Sequence, residues 1–120
     1  MPIDERRIAS LRGQRQTRSY TPTSLDPAAR AAMIEVARWT GSASNRQPWK
    51  FVVVEDRDLL TGLSTAKGGS SWIANAAAAF VILTEGTDAQ ASRFDVGRVA
   101  ERLLLAANAV GLAGAIVSWV

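Results

Sequence analysis

Apolar positions recur along this chain in two rhythms, and the change between them marks the elements. Ile3, Ile8 and Leu11 share one side of a short helix predicted over residues 3–12, which Gly13 can end. The stretch 14–24 is polar and rich in Thr, Ser and Pro, so it predicts a loop. Ala29, Ala32, Met33, Val36 and Ala37 then follow the i, i+3, i+4, i+7, i+8 stripe of a helix. Asp26 suits its N-cap and Pro27 its first turn, and Gly41 stands where a left-handed C-terminal residue belongs.

The rhythm changes after Pro48. Phe51-Val52-Val53-Val54 is β-branched and apolar, hence a buried strand. Asp56 opens a weak helix towards residue 66, and Lys67-Gly68-Gly69-Ser70-Ser71 predicts a flexible loop. A helical turn near 72–76 leads into a second buried strand containing Phe80-Val81-Ile82-Leu83. Ser92 can cap the longest helix, 92–110, whose stripe runs through Val96, Val99, Ala100, Leu103, Ala107 and Val110 to an end at Gly111. Phe94, Leu104 and Leu105 widen its apolar surface beyond one face, which predicts burial on several sides. Gly97, Ala100, Ala106 and Ala107 are small enough to admit another helix, either in an ordinary core or across a subunit interface. Ala113 to Val120 predicts a third strand, and its apolar run to the last residue reads as an internal strand of a larger fold. Helix, helix, strand, helix, strand, helix, strand is the order of an α+β or α/β layer architecture.

Composition narrows the chemistry more than the fold. The 120 residues make one domain, and no apolar run is long enough to span a bilayer. The N-terminus is charged and lacks the apolar centre of a signal peptide, so a cytoplasmic location is expected, with no membrane partner. Cys and His are both absent. That excludes disulfides, Cys-ligated clusters, ordinary zinc sites and any triad needing His. Enzymatic chemistry would have to come from Asp, Glu, Arg, Ser or Tyr, or from a bound cofactor.

Charge is uneven. Arg6, Arg7, Arg12, Arg15 and Arg18 face only Asp4 and Glu5, and their balance of +3 equals that of the whole chain. Such an arm could bind nucleic acid, grip a single phosphate, or simply be a solvated helix face. The carboxylates elsewhere are scattered and no pair stands out as catalytic. There is no dinucleotide-binding glycine motif and no P-loop. What remains is Ser42-Ala43-Ser44-Asn45-Arg46-Gln47-Pro48, between a helix and a strand. Its hydroxyls, amides and guanidinium can donate and accept along the edge of a heteroaromatic ring. Pro48 is expected to keep Gln47 extended. An ordinary polar loop has the same composition.

Arg15-Gln16-Thr17-Arg18-Ser19-Tyr20, then Ala37-Arg38-Trp39, then Ser42-Ala43-Ser44-Asn45-Arg46-Gln47-Pro48-Trp49-Lys50-Phe51-Val52-Val53-Val54 together resemble the signature of the nitroreductase family. Asp95-Val96-Gly97, Leu103 to Ala107 and Gly111-Leu112 are similar to that family's long central helix and its glycine exit. The sequence departs from the family pattern at Gln14, where a second arginine is common, and at Gln16, where serine is usual.

The resemblance implies an α+β, three-layer α/β/α nitroreductase-like fold across 1–120, interrupted after the third strand, since family members run well past this length. It implies a homodimer with FMN at the interface and NAD(P)H as co-substrate. Arg15 and Gln16 would lie near the FMN phosphate and ribityl chain. Arg18 would face the pyrimidine edge, where its charge stabilises the anionic reduced ring. Ser42 and Asn45 would reach the FMN of the partner subunit, with Gln47 supporting that loop or the flavin. No side chain acts as a nucleophile, because the cofactor carries the hydride. The expected activity is ping-pong reduction of a small-molecule acceptor such as a nitroaromatic or quinone. A dehalogenase or flavin destructase of the same fold is one alternative. A non-catalytic flavin-binding or dimerisation module is another. Nucleic-acid binding through the basic arm is a third, but no nucleic-acid partner is expected, since no base-reading element accompanies the arginines.

Overall fold

The two hydrophobic rhythms build a small sheet with helices on both sides. The protein is described by a computed structural model covering residues 1–84 and 89–119. Its elements are α1 (Glu5–Arg12), α2 (Pro27–Arg38), β1 (Trp49–Val54), α3 (Arg57–Ser64), β2 (Ala79–Thr84) and α4 (Ala89–Ala109), with short 3-10 turns at Ala43–Asn45 and Ser71–Asn75. β1 and β2 pair antiparallel, from Trp49 opposite Thr84 to Val54 opposite Ala79.

Alternation along the strands sends side chains to two cores. On one face Trp49, Phe51, Phe80 and Ile82 pack against Met33 and Ala37 of α2 and Val99, Leu103, Ala106 and Ala107 of α4. On the other, Val54, Ala79 and Val81 meet Leu60 of α3 and Ile73 of the second 3-10 turn. Helix, sheet, helix is the three-layer α/β/α arrangement that the family resemblance implies. The strands are less enclosed than their composition suggests. Only Val54 of β1 is buried, and Val52 and Leu83 are exposed, because this sheet has two strands and no neighbour covers that end.

Capping residues set the helix starts as expected. Asp26 accepts the Ala28 N–H with Pro27 at the first position, and Asp56 accepts the Leu59 N–H. The end of α4 also follows the sequence: Gly111 has φ +82°, and the Leu112 N–H reaches back to the Ala107 carbonyl at 2.8 Å.

Four local expectations fail. Gly41 is not a left-handed cap. α2 stops at Arg38, and its last carbonyls are taken by the Trp39 and Thr40 N–H groups and by the Thr40 hydroxyl. Ser92 does not cap α4, which is already helical at Ala89; Ala89-Gln90-Ala91 are good helix formers and carry the start past it. The loop 67–71 is tied down: Ser70 is 1% exposed, its Oγ donates to the Ser64 carbonyl at 3.1 Å, and Lys67 donates to the Ser118 carbonyl. The third strand is absent among the described residues. Residues 113–119 make one parallel bridge, Gly114 with Gln16, and pair with neither free edge of the described two-stranded sheet. Val120 lies outside the described residues. No helix among the described residues is long and apolar enough to cross a membrane.

Candidate functional site

The six residues singled out in the sequence fall into three groups. Arg15 and Gln16 belong to the first. Arg15 is exposed and turns back on its own chain, with Nη1 donating to the carbonyls of Arg12 and Gln14 at 3.0 Å each. The Gln16 Oε1 accepts the Ile116 N–H at 2.8 Å, and the Thr17 N–H donates to the Gly114 carbonyl. Gln16 is thus a clip between the N-terminal loop and the segment after α4.

Arg18 belongs to the second group. It lines an open cleft of about 600 Å³ together with Tyr20, Arg57, Trp72 and Asn75. Its guanidinium carbon stands 5.7 Å from the centroid of the Trp72 ring, within cation–π range. The Tyr20 and Trp72 rings tilt against each other with centroids 6.3 Å apart. Burial pushes the Tyr20 hydroxyl above its ordinary range, and the Arg18 charge partly opposes that. The Tyr20 hydroxyl donates to the Thr17 carbonyl at 2.6 Å, which fixes the turn carrying Arg18. Arg57 is held by the carbonyls of Ala74 and Ala76. Arg18 pairs with no carboxylate among the described residues. A smaller hollow of about 190 Å³ also borders Arg57 and Asn75 and adds the hydroxyl residues Thr21, Thr23 and Ser24.

Ser42, Asn45 and Gln47 form the third group. Ser44, Asn45 and Gln47 have φ of 51°, 52° and 49°, in the left-handed region. Asn tolerates that conformation; Ser and Gln are strained by about 1–2 kcal/mol each. Hydrogen bonds hold the shape. The Ser42 Oγ accepts the Gln47 N–H at 2.8 Å, and the Asn45 Oδ1 accepts the Gln47 Nε2 at 3.0 Å. Gln47 is therefore not extended before Pro48: its backbone and side chain both fold back into the loop. The loop rests on α4 through Asp95, whose Oδ2 accepts the Ala43 N–H at 3.1 Å.

The cleft lining includes none of 42–47. Sequence reasoning missed Arg57, Trp72 and Asn75 in the cleft and Asp95 beneath the loop. Arg57 follows a capping residue and reads as a solvated charge. Trp72 carried a usable signal, a large aromatic in a polar Gly-Gly-Ser-Ser turn. Asp95, a lone acid between Phe94 and Val96, carried another. Among the described residues no group of three or more acidic, His or Cys side chains could hold a metal.

Solved structures share this architecture. An FMN-dependent nitroreductase from Clostridium difficile R20291 superposes with a TM-score of 0.83 at 27% identity, over 88% of this chain and 62% of that one. An NADH oxidase from Clostridium acetobutylicum gives 0.82 at 26% identity, over 87% and 64%. The fold is thus that of the nitroreductases. The nitroreductase family model matches residues 11–81, and the chain belongs to that family. A protein of Archaeoglobus fulgidus named NADH dehydrogenase/NAD(P)H nitroreductase is 30% identical over 106 residues, which is 82% of this chain and 59% of the relative. This chain therefore spans about three-fifths of the length of these relatives.

Proposed function

We propose that the chain belongs to an FMN-dependent oxidoreductase that uses NAD(P)H to reduce a small organic acceptor such as a nitroaromatic or quinone. The observation that carries this reading is Arg18, free of any described carboxylate and poised over the Trp72 face in an open cleft. An aromatic wall beside a cation suits a planar, electron-accepting ring attached to an anion. The residues present fit FMN: Arg18 and Trp72 for the ring or phosphate, with Ser42, Asn45 and Gln47 offering hydroxyl and amide contacts at its edge. Arg15 and Gln16 are the less direct members, since the Arg15 Nη1 and the Gln16 Oε1 are already engaged within the chain.

When bound, FMN supplies the hydride chemistry. The protein's part is to orient the ring, keep a positive charge by its pyrimidine edge, and shield one face from water. Loop 42–47 does not line the Arg18 cleft, and in this reading the ring contacts both across two copies of the chain, the loop of one meeting the cleft of the other. A homodimer follows from this reading.

The test is direct. Purified protein titrated with FMN should quench flavin fluorescence and turn yellow, and it should oxidise NAD(P)H when an acceptor is added. Arg18→Ala should weaken FMN binding by ~1.5–3 kcal/mol, as expected for a charge-assisted contact, while Arg6→Ala leaves it nearly unchanged. Equal effects would contradict the assignment. A protein that takes up no FMN would remove the function proposed here, and one that takes it up without oxidising NAD(P)H is a flavin-binding module.

A further inference from the structure

Loop 42–47 holds a conformation that Ser44 and Gln47 disfavour, and one turn of α4 anchors it. Asp95 is 1% exposed. Its Oδ2 accepts the Ala43 N–H, 52 residues away in the chain. Its Oδ1 is enclosed and has no hydrogen-bond partner among the described residues, with the Arg98 Nη1 at 3.7 Å. A buried carboxylate oxygen left without a hydrogen bond is uncommon and calls for a compensating charge. Arg98 supplies that charge. Its guanidinium also lies across Gly41, where a Cβ would come within 3.0 Å of Nη2. Asp95 and Arg98 therefore grip the loop at its two entry residues, Ala43 and Gly41.

We infer that Asp95, with Arg98 as its counter-charge, is a positioning residue that sets the conformation of loop 42–47 and through it the ring contacts of Asn45 and Gln47. The consequence for ring binding rests on the flavin reading above; the clamp itself does not. The coupling is continuous. Asp95 fixes the Ala43 N–H, and Ala43 opens the 3-10 turn Ala43–Asn45. Ser42, at the start of that turn, takes the Gln47 N–H, and Asn45, at its end, takes the Gln47 amide. The acceptor oxygen carries most of the effect, and the charge adds a smaller part. An asparagine could still accept from Ala43, but it would turn an NH2 towards the guanidinium and lose the charge-assisted part of the contact.

Amide hydrogen exchange on the full chain tests this without any flavin. In the wild type the Ala43 amide should exchange more slowly than that of Ser44, on the order of tenfold, because it alone of the two donates to the buried acid. Asp95→Ala should accelerate Ala43 and Gln47 by on the order of tenfold while the amides of Leu103 to Ala107 keep their protection. Asp95→Asn should restore most of the protection at Ala43. Ala43 exchanging as fast as Ser44 in the wild type would overturn the inference even if Asp95→Ala did not fold. So would a folded Asp95→Ala protein with unchanged Ala43 and Gln47, a loss spread evenly through α4, or an asparagine variant no better than the alanine. FMN titration of the same proteins separates the two readings. If the wild type binds FMN, Asp95→Ala should bind it more weakly, by on the order of tenfold, and equal binding would cut the link between clamp and ring. If the wild type binds none, the flavin reading falls and the exchange results still decide the clamp.

Discussion

Tyr20 is the one tyrosine of the chain, so its titration can be followed without interference from another. Burial beside Trp72 raises its pKa above the ordinary 10.0, and Arg18 pulls the other way without cancelling that effect. The folded state therefore holds the phenolic proton more tightly than the unfolded state does. The stability this contributes is complete below pH 10.0 and is lost as pH rises through the folded value. Near-ultraviolet titration of tyrosinate absorbance should give a midpoint above 10.0. Tyr20→Phe should flatten the alkaline loss of stability in urea unfolding series, and an unchanged alkaline slope would show that another group is responsible. At this scale the sequence was partly legible. Arg18 was singled out and does line a cleft. Arg57 was not, because its role depends on the carbonyls of Ala74 and Ala76 in a distant turn.

Helices and strands were legible wherever the signal was local. Asp26-Pro27, Asp56 and Gly111 mark boundaries through backbone groups within a few residues, so each appears where its chemistry placed it. Asp56→Ala removes the acceptor for the Leu59 N–H at the start of a helix only eight residues long. It should destabilise the protein by about 1 kcal/mol in chemical denaturation. No measurable change would mean that packing of Leu60, not the cap, holds α3. Gly41 shows the limit of local reasoning. Its position suggested a left-handed cap, yet the last turn of α2 satisfies itself, and a Cβ there would press against the Arg98 guanidinium, 3.0 Å from Nη2. Residues 113–119 show the same limit from the other side: an apolar run is only a strand when a sheet edge receives it.

For the molecule as a whole, the two cores flanking β1 and β2 leave large apolar side chains outside. Phe94 and Trp39 are 71% and 76% exposed, and Ile8 and Leu11 of α1 are uncovered. In the proposed dimer these residues are where a second copy would be expected to pack. Sedimentation equilibrium should return a dimer mass, and Phe94→Asp should shift the protein towards monomer. A monomer at all concentrations would contradict the proposed interface, and with it a flavin site shared between copies.

By itself the sequence determined the order of helices and strands, most of the element boundaries and the polar loop before β1, because these depend on periodicity and on caps a few residues away; the three-layer arrangement was legible only through the family resemblance. Only the tertiary structure decided that Trp72 and Arg18 meet, that Gln16 clips the segment after α4, and that Asp95 sits beneath loop 42–47. Those contacts join residues far apart in the chain, 52 positions for Asp95 with Ala43 and 100 for Gln16 with Ile116. Which distant groups meet is set by how the two helix layers pack on the sheet, and no local pattern encodes that.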